Sequence, residues 1–128
     1  MDEQIKEEWQ EVVKYIKRSK GATFAELEMR FGWLGGGDRV LEIPDLNLLL
    51  WAGVSDEGIE FYRDRRVRDQ VEAKSCDWLC YAHDGRVLQM PIAKRVPEGG
   101  YKKQRWAPTA LQEKRRWAPA PPAYPVDE

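Results

Sequence analysis

The sequence predicts an α+β fold: three helices, a C-terminal β-hairpin and a Pro-rich C-terminal extension. Three observations predict it. Apolar residues recur at helical spacing near the N-terminus, a Thr-Phe-Ala-Glu capping signal follows at once, and Asp84-Gly85 separates two strand-like runs. The 128 residues suit a single domain with a modest core, and six Trp, five Tyr and three Phe supply the apolar area to fill it.

Ile5, Trp9, Val12, Val13 and Ile16 form one stripe of a 3.6-residue helix, placed at residues 3–19. Glu3, Glu7, Glu8 and Glu11 crowd its first half and Lys14, Lys17, Arg18 and Lys20 its end, which complements the helix dipole; Gly21 is the stop signal. In the second helix Thr23 is the cap and Glu26 its reciprocal partner, Phe24, Leu27 and Phe31 share a face, and Gly32 ends the run. Two helices joined by so short a turn form an αα corner. Residues 32–45 read as irregular because Gly35, Gly36 and Gly37 oppose a helix and Pro44 marks a break. Leu46 to Trp51 is an apolar run that fits a buried strand or a helical turn, with the strand preferred. Ser55 then caps a third helix over residues 56–67, with Ile59 and Tyr62 on one face, Gly58 as a weak point, and Arg63, Arg65, Arg66 and Arg68 toward its end. In the hairpin, Cys76–Ala82 pairs with Arg86–Ile92, so that Tyr81 opposes Leu88 and Leu79 opposes Met90.

Charge divides the chain. Residues 1–60 hold 7 Lys/Arg against 13 Asp/Glu, and residues 61–128 hold 14 against 9, so a net charge of −1 conceals an acidic and a basic half. The acidic N-terminus does not read as a signal peptide, no apolar run approaches a bilayer span, and Cys76 and Cys80 are too few for a disulfide framework. A cytoplasmic protein without membrane contact is the expectation.

Composition shifts after Pro97, which places a domain at 1–97 and an extension at 98–128, partly docked or flexible. The extension carries a short repeat, Lys103-Gln104-Arg105-Trp106-Ala107-Pro108 and Lys114-Arg115-Arg116-Trp117-Ala118-Pro119. Trp106 anchoring the extension is the favoured reading; stacking on bases beside basic Lys102, Lys103 and Arg105 is the functional one.

The order of elements, the segment Ala22-Thr23-Phe24-Ala25-Glu26-Leu27 after a short turn, and the hairpin at Asp84-Gly85 resemble the winged-helix branch of the helix-turn-helix DNA-binding proteins over residues 3–95. The resemblance implies a recognition helix in the major groove and a wing on the backbone. It places Arg63, Arg65, Arg66 and Arg68 on or after the recognition helix and Arg86 at the wing. Double-stranded DNA is the implied partner, and a small transcriptional regulator or mobile-element accessory factor the implied role. The long segment between the second and third helices departs from the pattern.

Other readings compete. A docking or inhibitor protein on the same scaffold would use the acidic half or the Trp/Pro-rich extension, and a sequence pI near 6.0 favours it. Cys76, Cys80, His83 and Asp84 have the chemistry of zinc ligands but lack a second pair to close a site, so no metal is expected. Gly35-Gly36-Gly37 lacks the Gly-Lys-Ser/Thr ending of a phosphate loop, and His83 is the lone histidine; no enzyme activity and no cofactor are expected.

Overall fold

The computed structural model describes residues 6–114. It is a mixed α+β fold in which helices flank two small sheets. Helix α1 (Glu7–Arg18) buries Trp9, Val12, Val13 and Ile16, the stripe legible in the sequence, and ends at Ser19, whose hydroxyl donates to the Ile16 carbonyl at 2.8 Å. A two-residue strand, β1 (Ala22–Thr23), leads into α2 (Phe24–Arg30). Thr23 caps α2, its Oγ1 accepting the Glu26 amide hydrogen at 3.0 Å. The reciprocal half of that capping box is diverted, because the Glu26 carboxylate accepts a hydrogen bond from the Tyr15 hydroxyl on α1.

Residues 32–45 are mostly strand, contrary to the irregular segment expected. A 3-10 turn at Gly32–Leu34 opens into β2 (Gly35–Ile43), which pairs antiparallel with β3 (Leu48–Val54) through several register shifts. The glycines mark a bulged strand end rather than the absence of a strand. A Cβ on Gly37 would lie 2.5 Å from the Val54 carbonyl oxygen, so only glycine lets the backbones approach there.

The third expected helix is broken in two, α3 (Asp56–Arg63) and a single turn, α4 (Arg65–Arg68). Asp64 causes the break: it is extended, with ψ 130°, and its Oδ1 accepts the Arg66 amide hydrogen at 2.8 Å, which restarts the helix as a new N-cap. Strand β4 (Val71–Ser75) follows.

The predicted hairpin at Asp84-Gly85 does not form. Residues Leu79–His83 are helix α5, and Asp84-Gly85 closes it: the Asp84 amide donates to Tyr81 O at 3.0 Å and the Gly85 amide to Ala82 O at 2.9 Å, with Gly85 at φ 70°. A left-handed glycine serves a helix C-terminus as well as a hairpin turn. Burial of Tyr81 decides between them: Tyr81 is fully buried, 5.1 Å from the Trp51 ring and 5.0 Å from Trp106. The strand that completes the first antiparallel sheet comes from further along the chain. Strands β5 (Arg105–Trp106) and β6 (Thr109–Glu113) both lie beyond Pro97, and β6 is the central strand of its sheet.

The first sheet has the order β1-β6-β4, all antiparallel, and the second β2-β3-β5, with β5 parallel to β3. The core runs from α1 and α2 across Trp51, Phe61, Tyr81 and Trp106, and Leu48, Val96 and Ala107 form a smaller cluster under β5. Trp106 is fully buried, its Nε1–H donating to Leu50 O at 3.2 Å, so residues 105–113 belong to the same core as the helices. Among the described residues no helix is long and apolar enough to cross a membrane.

Two stability predictions follow from this packing. A Cβ on Gly58 would stand 2.5 Å from the Leu34 carbonyl oxygen and 2.9 Å from Val54. Alanine gains about 1 kcal/mol of helix propensity, but overpacking against backbone costs about 1–3 kcal/mol. Gly58→Ala is expected to lower the urea midpoint, by up to about 2 kcal/mol in stability; a rise would show that α3 shifts freely.

Burial holds the Tyr62 hydroxyl well above its ordinary pKa, and among the described residues that oxygen has no hydrogen-bond partner. The folded protein therefore keeps this proton after the unfolded chain has lost it. Stability is complete below about pH 10 and falls as pH rises beyond it. Tyr62→Phe should match or exceed the parent by up to about 1 kcal/mol at neutral pH and lose less stability under alkaline conditions, as measured by urea unfolding across pH.

Candidate nucleic-acid interface

The arginines singled out in the sequence divide by what they touch. Arg66 is taken up by Asp64, with Nε 3.0 Å from Oδ1 and Nη2 2.7 Å from Oδ2. Hydrogen bonds from Arg66 hold the Asp64 carboxyl below its ordinary pKa. Arg63, Arg65 and Arg68 are exposed and form no ion pair among the described residues. Arg65 and Arg68 are one helical turn apart on α4, while Val67 between them is buried.

Gln70 joins α4 to two further cations. Its Oε1 accepts from Lys17 Nζ at 2.9 Å, its Nε2 donates to Arg66 O at 3.2 Å, and its carbonyl accepts the Lys114 amide hydrogen at 2.9 Å. The basic end of α1, the arginines of α4 and the end of β6 therefore meet at one residue, and the sequence continues from Lys114 into Arg115-Arg116. Asp69, Glu72 and Glu113 lie among these cations; Glu72 accepts from Gln112 Nε2 at 2.8 Å. Lys17 and Lys114 were not among the expected site residues. Lys17 was legible only as a partner of the α1 dipole, and Lys114 only as part of the repeat.

The other expected residues lie elsewhere. Arg86 is not on a hairpin. Its Nη2 is 2.7 Å from Glu28 Oε1 and its guanidinium stacks 5.5 Å from the Trp51 ring, so it braces the core. Lys102 and Lys103 are exposed beside the β2–β3 turn, where Asn47 Nδ2 donates to the Tyr101 and Lys102 carbonyls at 3.0 and 3.1 Å. Arg105 stacks 4.7 Å from the Tyr101 ring and pairs with Leu48 at the start of β3. Gln70 thus links α4 to Lys17 and to the Lys114 backbone, whereas Arg86 is engaged by Glu28, Arg105 by Tyr101, and Lys102 and Lys103 lie beside the β2–β3 turn.

The exposed face of α3 is of mixed sign. Asp56 and Glu60 are exposed on it, and Asp56 Oδ1 lies 3.1 Å from Arg39 Nη1. Trp9 Nε1–H donates to Glu57 Oε2 at 3.0 Å, and that bond is the main reason the Glu57 carboxyl sits below its ordinary pKa. Burial pushes the Cys76 thiol up to about 12, beside Cys80. Among the described residues no three His, Cys, Asp or Glu side chains converge as a metal-ligand set.

No family model, curated protein or solved structure matches the chain.

Asp64 has two roles here, capping α4 and holding Arg66. Asp64→Ala should cost about 1 kcal/mol of stability, as an N-cap loss does. Because the folded-state pKa of Asp64 is lowered, its contribution is present above its unfolded value of about 3.9 and fades as pH falls below it. The gap between Asp64→Ala and the parent in thermal unfolding should therefore narrow toward pH 3; a constant gap would mean that Asp64 acts without its charge.

Proposed function

We propose that this chain is a non-catalytic DNA-binding protein built on a winged-helix-like core. The observation that carries the reading is the strand order β1-β6-β4. In a winged helix a short strand between the first two helices forms the edge of a three-stranded antiparallel sheet. The two strands after the third helix complete that sheet, and the loop joining them is the wing. Here α1, β1, α2, α3, β4 and β6 follow one another in that order. The long separation between second and third helices is the β2–β3 hairpin, and the segment from Cys76 to Pro108 occupies the place of the wing.

On this reading the cations gathered around Gln70 are the contact surface. Exposed guanidinium groups without internal partners are free to exchange counterions for phosphates, whereas a pair such as Arg66–Asp64 is already neutralised. Arg65 and Arg68 on α4 are the principal contacts, with Lys17 and Lys114 flanking them and Arg63 at the end of α3. Arg86 supports the fold rather than the contact.

A second reading is favoured by one observation, the exposed acids Asp56 and Glu60 on α3. On the helix that would enter the groove they repel phosphate, and they suit a basic protein partner instead.

Fluorescence anisotropy with a labelled mixed-sequence duplex tests the proposal. Arg65→Ala/Arg68→Ala should weaken binding about tenfold or more and flatten the slope of log affinity against log salt by about 2, one for each lost phosphate contact. An unchanged slope, or no binding by the parent protein at low salt, overturns the DNA reading in favour of protein docking.

A further inference from the structure

The two sheets do not close fully on one another. Between them lies a cleft of about 420 Å³, with Leu41 and Leu50 of the second sheet on one wall, Ala73 and Leu111 of the first on the other, and Tyr62 also in its lining. That volume falls within the range of roughly 300–1,000 Å³ typical of small-molecule sites. Leu41, Leu50 and Ala73 are only half-buried, so apolar surface is presented to the cleft rather than sealed in the core.

The charge at its rim indicates what would occupy it. Arg68 and Lys114 line the cleft, are exposed at its rim, and form no ion pair among the described residues. Glu72, the acid in the same lining, accepts a hydrogen bond from Gln112. The rim therefore offers net positive charge above an apolar interior.

We infer that this cleft binds a small amphipathic anion, an apolar chain or ring lying between the sheets with a carboxylate held by Arg68 and Lys114. A cation of the same shape would be repelled, and a neutral alcohol would lose the charge-assisted hydrogen bonds at the rim. The inference requires only the cleft and its two rim cations, which the proposed DNA surface would share, so it is tested without DNA present.

Isothermal titration calorimetry of the full chain with decanoate, decan-1-ol and decyltrimethylammonium tests it. Decanoate should bind one to one with a Kd below about 100 µM, and decan-1-ol at least about tenfold more weakly. Arg68→Glu/Lys114→Glu changes two exposed side chains and should fold as the parent does, which circular dichroism checks. It should weaken decanoate about tenfold or more and leave decan-1-ol unchanged. No saturable binding of decanoate, equal affinity for the trimethylammonium compound, or decanoate affinity insensitive to the charge reversal would each overturn the inference. To separate this cleft from other apolar surface, Ala73→Leu narrows it from within. Loss of decan-1-ol and decanoate binding together in that variant supports the assignment, and unchanged binding of both in the folded variant overturns it.

Discussion

The Tyr81 side chain holds the two sheets to one body. Its hydroxyl donates to the Thr109 carbonyl at 2.6 Å and accepts the Phe24 amide hydrogen at 3.2 Å, in a fully buried site. The same ring lies between Trp51 on β3 and Trp106 on β5, which are themselves 6.3 Å apart. Aromatic pairs of this kind contribute about 0.5–1.5 kcal/mol each beyond their buried area. The hydrogen bonds matter in a different way. Thr109 begins β6 and Phe24 begins α2, so loss of the hydroxyl removes one buried hydrogen bond to each element, about 0.5–1.5 kcal/mol apiece. One residue on a five-residue helix thereby ties the segment between β4 and β5 to the start of the second helix and to the central strand of the first sheet.

That constraint fixes the fate of the nearby charges. Trp51 is held from its other edge, its Nε1–H donating at 2.7 Å to Glu28 Oε2, and Glu28 in turn accepts from Arg86. The Glu28 side chain is only 7% exposed, so its charge requires a partner, and Arg86 is recruited for that purpose. Arg86 is thus unavailable to a ligand because of a tryptophan two elements away. Asp64 engages Arg66 by the same logic, in the course of starting α4. What remains open on α3 and α4, Arg63, Arg65 and Arg68, is what the structure can spare.

The starts of the first three helices were legible because their signals are local, whereas α5 was read as a strand. The α1 stripe, the Thr23 cap and the Ser55 cap each act within one or two turns, and Ser55 Oγ does accept the Gly58 amide hydrogen at 2.8 Å. The apolar run at β3 was legible as well. The strands that were missed depend on partners distant in sequence. β6 pairs with β1 across nearly ninety residues, Ala22 opposite Leu111, and nothing local to Thr109–Glu113 announces it. The glycines of β2 oppose a strand by composition and permit one only because Val54 passes close by. Asp84-Gly85 was read correctly as a turn and wrongly as a hairpin, since both roles need the same left-handed glycine. For the candidate site, the arginine cluster could be read from the sequence. Its division into engaged and open members could not, because Asp64–Arg66 and Glu28–Arg86 are decided by packing.

The charge asymmetry of the two halves has a related lesson. By sequence, Lys17 belongs to the acidic half and Lys114 to the basic one, and a reading by halves would place them on opposite faces. Gln70 brings both to α4: its side chain bonds to Lys17 and its carbonyl to the Lys114 amide. The acids of the first half are meanwhile dispersed among separate structural tasks, Glu28 under Trp51, Glu57 on Trp9, and Glu26 on Tyr15. A local basic surface on a chain of net charge −1 therefore requires no basic domain. It requires that carboxylates be committed to the fold while a few guanidinium and ammonium groups are left uncommitted, and around Gln70 the three-stranded sheet brings such groups together.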